Sequence, residues 1–272
     1  MRILPLLFAV LLLPASSVLA GETPWQEVMP GVKLRLISSG ALQPDGSTLF
    51  GLEIDMPENT KTYWRVPGET GLATQIDLAG STGVGAAQIV WPHPRLDLAS
   101  GYLDYVYFGH TLLPIKLAVE DERGSAVISA LLGICSDICV PAQASFTLPL
   151  LDAKADGPNG LRIRQALAAA PIPWSEGEEP LGAVAYLAEE DALVVRLNDE
   201  TLDVSTLIAA TETGMPLFGA PEKSRQDDLV LLPILAKTEN SALEGQDVQL
   251  TFMTAMGAFE LRRTIGADET SE

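Results

Sequence analysis

The chain has 272 residues, and its 36 acidic and 17 basic side chains give a formal net charge of −19 at neutral pH. An acidic surface of this kind repels polyanions, which disfavours nucleic acid and anionic lipid as partners. The length is sufficient for two modest domains or one large domain.

The first twenty residues have the pattern of a secretory signal peptide. Arg2 supplies a positive charge, Ile3 to Leu13 supply an apolar run, and small residues before Gly21 suit cleavage after Ala20. A membrane anchor is the alternative, but the apolar run is short and interrupted by proline. No later stretch is apolar for long enough to span a bilayer. We therefore expect a periplasmic protein that is soluble after cleavage and not stably inserted in the membrane.

Short apolar or alternating runs follow at roughly ten-residue spacing, separated by turn-forming residues, and this spacing is typical of the antiparallel strands of a β-sandwich. The runs before residue 151 are Val32–Ile37, Thr48–Ile54, Lys61–Val66, Ala87–Trp91, Leu112–Val119, Ala126–Leu132 and Ser145–Leu150.

Residues 159–170 interrupt the strand pattern. They are rich in helix formers, Asn159 can cap the start, and Pro171 and Pro173 end the segment. A proline-rich linker is predicted to follow as far as Pro180, and the strand-like runs then resume.

The sequence thus predicts an all-β protein with one linking helix. Its predicted parts are a signal peptide (1–20), a β-sandwich domain (21–155), a helix and linker (156–180), a second, smaller β domain (181–265) and a disordered tail (266–272).

The two cysteines, Cys135 and Cys139, stand four residues apart in LLGICSDICVP. In an exported protein such a pair is normally oxidised. In the chain-entropy account, closing a ring of about five residues stabilises a protein by roughly 2 kcal/mol, against about 4.7 kcal/mol for a hundred-residue loop. A ring this small is therefore a weak structural crosslink, and strain in a short ring makes a disulfide easier to reduce.

The surroundings of the pair favour a hairpin end near the surface, since an apolar strand precedes it and Val140-Pro141 follows it. Asp137 lies between the cysteines and is expected to raise the pKa of the thiols. The residues alone leave three interpretations open: redox exchange, a structural disulfide and metal binding. Metal binding is the weakest, because His93 and His110 have no recognised ligand spacing, and a copper site including Met253 or Met256 has no positive indication.

Four motifs resemble a known family. They are TYWRVPGETGLATQIDLAGS (Thr62–Ser81), IVWPHPRL (Ile89–Leu96), LLPIKL (Leu112–Leu117) and ICSDICVPAQASFTL (Ile134–Leu148). In this order they resemble the N-terminal periplasmic domain family of the thiol:disulfide interchange protein DsbD, in its ScsB-like branch. ScsB is the suppressor-of-copper-sensitivity relative. The resemblance extends over about residues 25 to 150.

This resemblance implies an immunoglobulin-like sandwich in which Cys135 and Cys139 are the catalytic pair of a protein-disulfide reductase or disulfide-exchange component. They would accept electrons from a membrane carrier of the DsbD or ScsB transmembrane type and pass them to periplasmic thioredoxin-like proteins, without a cofactor or metal. We expect a free-standing form, because the transmembrane and thioredoxin-like regions of those relatives are not in this sequence.

The resemblance also implies a loop that shields the active site, located by position at Leu96 to Gly109. Its candidate cap or docking residues are Tyr102, Tyr105, Tyr107 and Phe108. The alternative is that Tyr105 and Tyr107 are strand residues that pack on one face.

Outside the cysteines, the motif that resembles the family most clearly is Tyr63-Trp64-Arg65. Trp64 is expected in the core, whereas Arg65 is expected either to orient a carboxylate or to lie in solvent.

Two other functions remain as alternatives. One is a non-catalytic immunoglobulin-like binding or chaperone module whose disulfide is structural. The other is a copper-tolerance accessory protein, which only the ScsB resemblance suggests.

Overall fold

The computed structural model of the protein describes residues 21–267 except for 100, 153, 225–227 and 238–242. The predicted signal peptide and the last five residues of the predicted tail lie outside this range. Up to residue 150 the chain forms the strands β1 (Gln26–Met29), β2 (Val32–Leu42), β3 (Ser47–Asp55), β4 (Lys61–Gly68), β5 (Gln75–Asp77), β6 (Val84–Ile89), β7 (Arg95–Asp97), β8 (Asp104–Phe108), β9 (Thr111–Val119), β10 (Ser125–Cys135) and β11 (Cys139–Pro149).

These strands form two antiparallel sheets that enclose one core. The first sheet has the order β1-β2-β3-β9-β6, and the second has the order β11-β10-β4-β8-β7, with β5 beside β10. Burial alternates along β10 as far as Leu132 and along β11 from Ala142, as expected for strands with one face towards a core. The core contains Leu34 and Phe50 from the first sheet and Trp64 and Tyr105 from the second. The prediction of an all-β sandwich is confirmed.

The single helix of the described residues, α1 (Gly157–Leu167), packs on the outside of the first sheet. It begins earlier than predicted. The N-cap is Asp156, whose Oδ1 accepts a hydrogen bond from the Asn159 backbone N–H at 2.9 Å. Asn159 itself lies in the first turn, so its assignment as the cap was wrong. Ile163 packs against Ile37 and Leu49 and attaches the helix to the sheet.

The remaining strands form a third sheet with its own core. They are β12 (Ile172–Pro173), β13 (Leu181–Leu187), β14 (Ala192–Leu197), β15 (Ile208–Ala210), β16 (Leu217–Phe218), β17 (Glu222–Lys223), β18 (Leu229–Ala236), β19 (Asp247–Thr254), β20 (Gly257–Thr264) and β21 (Gly266–Ala267), with a 3₁₀ turn at Val204–Thr206. The order is β12-β20-β19-β15-β16-β18-β14-β13-β21, and β17 pairs with β18.

Two of these strands lie where the sequence predicted irregular chain. β12 falls within the predicted linker and pairs in parallel with β20, and β21 falls at the start of the predicted tail and pairs in parallel with β13. The predicted linker and the predicted tail therefore each contain a two-residue strand that was not predicted, Ile172–Pro173 and Gly266–Ala267.

The third sheet also contributes to the core of the sandwich. Ile208, Ala210 and Leu217 belong to the same buried cluster as Trp64 and Tyr105. Within the described part of the chain, no helix has the length and apolar character that a membrane span requires.

Candidate redox site

Cys135 and Cys139 are bonded to each other at the end of a β-hairpin. Cys135 is the last residue of β10 and Cys139 the first of β11, and the two residues are direct partners in the ladder. Ser136 to Ile138 form the tip that connects them. The predicted hairpin end is therefore present, and the ladder itself places the two sulfurs side by side.

The two cysteines differ in exposure. Cys135 is 7% exposed, whereas Cys139 is an exposed residue. Ile138, which precedes Cys139 at the tip, is 72% exposed. A partner can therefore approach Cys139 from solvent, while Cys135 is accessible only after a rearrangement.

The disulfide lies on the face of the second sheet that points away from the sandwich core. Cys139 pairs with Cys135, Cys135 pairs with Lys61, and Lys61 pairs with Phe108, so these residues form one row across four strands. Directly paired residues share a face of a sheet. Alternation along β4 also places Tyr63 on this outer face, and Trp64 on the inner one.

A small apolar cluster surrounds Cys135 on this face. It consists of Cys135, Tyr63 and Val106, with Phe108 packed against them. Gly71 lies directly on the Tyr63 ring, where a Cβ atom would come within 2.1 Å of a ring carbon. Only glycine permits such a close approach of backbone to ring.

Tyr63 connects the cluster to the exposed sulfur. Its hydroxyl oxygen lies 3.5 Å from Cys139 Sγ, within the range of a hydrogen bond to sulfur. Burial raises the pKa of Tyr63 above its ordinary value, and the negative charge of Asp104 acts in the same direction. The hydroxyl therefore keeps its proton and is able to donate it to sulfur.

A buried ion-pair network adjoins Tyr63. Lys61 Nζ lies 2.7 Å from Asp97 Oδ2 and 3.0 Å from Asp104 Oδ2. The Thr70 hydroxyl donates to the Asp104 carboxylate at 2.8 and 3.0 Å. Burial alone lowers the pKa of Lys61, but the hydrogen bonds to Asp97 and Asp104 outweigh it and raise that pKa. The lysine is therefore charged and balances both carboxylates.

The four candidate cap residues are not brought together. Phe108 packs against the Cys135 cluster, and the Arg95 guanidinium lies 5.6 Å above its ring. Tyr105 and Tyr107 point into the sandwich core, where their hydroxyls donate to the carbonyls of Phe218 and Pro92 respectively. Tyr102 is 53% exposed in the loop before β8.

The placement of Tyr105 and Tyr107 corresponds to the alternative interpretation, that of strand residues packing on one face. Neither covers the sulfurs in this structure. The cap assignment of these two tyrosines is corrected accordingly, because alternation along β8 turns them towards the core and leaves Phe108 on the side of the disulfide.

Trp64 is in the core, as predicted. Arg65 neither orients a carboxylate directly nor lies free in solvent. It stacks on the Trp64 ring at 4.4 Å and donates to Gln249 Oε1 at 2.6 Å and to the Thr211 carbonyl at 3.4 Å. Arg65 therefore joins the sandwich to the third sheet.

The histidines lie apart from the disulfide. His93 contacts the carbonyls of Pro94 and Thr206, and His110 pairs with Glu53. Within the described ranges, no three His, Cys, Asp or Glu side chains come together in a way that could hold a metal ion.

Sequence reasoning missed Tyr63 and Lys61 as neighbours of the sulfurs. Strand alternation carried the signal, because a Trp64 that faces the core requires Tyr63 and Lys61 to share the opposite face. The contact with Cys139 depends on the pairing of β4 with β10, which the sequence alone does not specify.

Comparison with known proteins agrees with this geometry. One similar solved structure is the crystal structure of the N-terminal periplasmic domain of ScsB from Proteus mirabilis. The two sequences are 22% identical, and the match covers 91% of this chain and 99% of that chain. The two structures superpose with a TM-score of 0.72. That likeness supports the immunoglobulin-like fold. No curated protein matches the sequence significantly.

The sequence of residues 34–151 matches the family described as "Thiol:disulfide interchange protein DsbD, N-terminal". This segment includes both cysteines, Tyr63 and Lys61. Over residues 34–151, the disulfide-bearing sandwich of this chain is therefore similar to the DsbD N-terminal domain family.

Proposed function

We propose that the protein is a periplasmic thiol:disulfide exchange protein. It takes reducing equivalents from a membrane-embedded electron carrier and passes them to thioredoxin-like proteins through Cys135 and Cys139. The observation that carries the proposal is the unequal exposure of the pair, with Cys139 exposed at a hairpin tip and Cys135 buried beside it. Exchange requires one accessible sulfur, which a purely structural bridge does not need.

Reduction of the protein begins at the accessible sulfur. A thiolate of the carrier attacks Cys139 Sγ, the Cys135–Cys139 bond breaks, and Cys135 leaves as a thiolate. The second cysteine of the carrier then attacks the carrier sulfur of the mixed disulfide and releases Cys139 as a thiolate. The carrier becomes oxidised, and two electrons remain on the Cys135–Cys139 pair.

Delivery of the electrons follows the reverse course. The Cys139 thiolate attacks the disulfide of a thioredoxin-like protein and forms a mixed disulfide. Cys135 then attacks Cys139 Sγ, which restores the hairpin disulfide and releases the partner as a dithiol. The exposed Ile138 at the tip offers an apolar contact next to the reacting sulfur.

Two findings support a periplasmic location. Residues 1–20 have the signal-peptide pattern, and the similar domain of Proteus mirabilis ScsB is described as periplasmic. The match of residues 34–151 to the DsbD N-terminal domain family supports the exchange chemistry.

The first experiment measures attack on Cys139. In the Cys135→Ser variant, Cys139 is converted to a mixed disulfide with thionitrobenzoate, and a reduced periplasmic thioredoxin-like protein is added. We expect attack on Cys139 to release the coloured thiol rapidly. When the resolving cysteine of the partner is replaced by serine, we expect a covalent complex of the two proteins to accumulate. The matched control is Cys139→Ser, in which the buried Cys135 is expected to react at least about tenfold more slowly.

A second experiment measures the reduction potential of the wild-type pair against glutathione. Structural disulfides typically lie below about −300 mV, and a higher potential is expected here. A potential below that value, together with no covalent complex from either variant, would contradict the proposal and favour a binding module with a structural disulfide.

A further inference from the structure

The Tyr63 hydroxyl has one proton to donate, and Cys139 Sγ lies 3.5 Å from its oxygen. The neighbouring Thr70 hydroxyl is directed elsewhere, since it donates to the Asp104 carboxylate. The sulfur is therefore the acceptor that the geometry offers to Tyr63.

The redox state of Cys139 changes the strength of this contact. A disulfide sulfur is a weak acceptor, whereas a thiolate carries a full charge and forms a charge-assisted hydrogen bond that is about twice as strong as a neutral one. The bond from Tyr63 to Cys139 therefore strengthens when the disulfide is opened. Because burial keeps the Tyr63 hydroxyl protonated, it remains a donor where thiols ionise.

We infer that Tyr63 stabilises the Cys139 thiolate by donating its hydroxyl proton to Sγ, and so controls how readily Cys139 attacks a disulfide and leaves a mixed disulfide. This inference rests on the proposed function, since it assigns a role in the same exchange. This hydrogen bond lowers the pKa of Cys139, whereas a neighbouring carboxylate such as Asp137 acts to raise it.

The step balances without another reactant. The Cys139 thiolate, held by the Tyr63 O–H, forms a bond to one sulfur of the partner disulfide. The partner S–S bond breaks, and the second partner sulfur leaves as a thiolate that takes a proton from water. Cys135 closes the hairpin disulfide in the next exchange, and two electrons are then on the partner.

The test uses the pH profile of alkylation of a single thiol. In the Cys135→Ser background, iodoacetamide reacts with the Cys139 thiolate, so the rate against pH gives the pKa of Cys139. Adding Tyr63→Phe is expected to raise that pKa by about one unit and to slow alkylation at pH 7 about fivefold to tenfold. Tyr186→Phe is the matched control, because the Tyr186 hydroxyl binds Asp191 in the third sheet; its profile should not change.

Phe108→Leu provides a second control within the same cluster. It changes the packing around Cys135 and Tyr63 but removes no hydroxyl, so the pKa of Cys139 is expected to stay as in the parent. General loosening of the site would shift the pKa in both variants. An alkylation profile of Tyr63→Phe within twofold of its parent, or an equal shift with Phe108→Leu, would overturn the inference.

The outcomes for the two proposals can be told apart, because alkylation needs no protein partner. If Tyr63→Phe shifts the profile but no thioredoxin-like protein reacts, the proposed function fails and the thiolate contact stands. If exchange proceeds and the profile does not move, the role of Tyr63 fails and the proposed function stands.

Discussion

Lys61 occupies a position that would normally suit an apolar residue. It is 8% exposed, it lies between Cys135 and Phe108 in the row across the second sheet, and its ammonium group contacts two carboxylates. Asp104, one of these carboxylates, is 1% exposed. A buried charge is tolerated only when it is paired. The buried Asp104 carboxylate therefore requires Lys61 as its partner.

Replacing Lys61 with methionine is therefore expected to destabilise the protein by about 3 kcal/mol, because it leaves a buried carboxylate without its partner. Urea unfolding measures the change. Lys116→Met is the matched control: its pair with Asp45 is 43% and 52% exposed, and a much smaller loss is expected because solvent screens an exposed pair. Equal losses in the two variants would contradict this account.

The same network has a defined pH dependence. Burial alone would raise the pKa of Asp97, but the hydrogen bond from Lys61 lowers it below its ordinary value of 3.8. A carboxylate with a lowered pKa contributes stability above its unfolded pKa and loses it as the pH falls through the folded pKa. The contribution of the pair is therefore complete at neutral pH and is lost only in strong acid.

At the scale of elements, local patterns predicted seven of the eleven sandwich strands and the cysteine hairpin, because alternation and turn residues act over a few positions. The strands β1, β5, β7 and β8, of three to five residues, were not among the predicted runs. The start of α1 was misplaced because Asp156 and Asn159 are both good caps and stand three residues apart. The two-residue strands β12 and β21 could not be predicted, since each depends on a distant partner strand. The contact of Tyr63 with Cys139 was missed for the same reason.

The cap of α1 can be tested directly. Asp156→Ala removes the acceptor of the Asn159 N–H and is expected to cost about 1 kcal/mol of the free energy of unfolding. Chemical denaturation checks the value, and Glu200→Ala, which removes an exposed acid outside any helix, is the control. A cap at Asn159 would instead leave the stability of Asp156→Ala unchanged.

At the scale of the whole molecule, the sandwich and the third sheet share contacts that the sequence did not indicate. Arg65 reaches Gln249, Tyr105 reaches the Phe218 carbonyl, and His93 reaches the Thr206 carbonyl. Ile208 and Ala210 complete the core of the sandwich. The hairpin that carries the disulfide is thus supported by a sheet whose inner side depends on residues much later in the chain.

His93 makes this junction sensitive to pH. Burial lowers the pKa of His93 below its ordinary value of 6.5, although the carbonyls of Pro94 and Thr206 partly oppose the shift. The folded protein therefore binds a proton less readily than the unfolded chain, so stability is complete above pH 6.5 and falls below it. Between pH 7 and pH 5.5 we expect a loss of up to about 1 kcal/mol.

Thermal or urea unfolding at the two pH values measures this loss. In His93→Gln, which cannot be protonated, the difference between the two pH values is expected to shrink. An undiminished difference in that variant would assign the pH dependence to other groups.

The ladder that joins β10 to β11 runs from Ser125 and Pro149 to Ile134 and Val140, next to the cysteine pair. These backbone bonds do not depend on the sulfur–sulfur bond, so they keep the two thiols adjacent when it is open. Each thiol is then held close to the other at a very high effective molarity. In the proposed delivery step, this proximity lets Cys135 release the partner from Cys139 soon after the mixed disulfide forms. In the proposed reduction step, the same proximity makes Cys135 compete with the second cysteine of the carrier, so that cysteine must attack before the hairpin disulfide closes again.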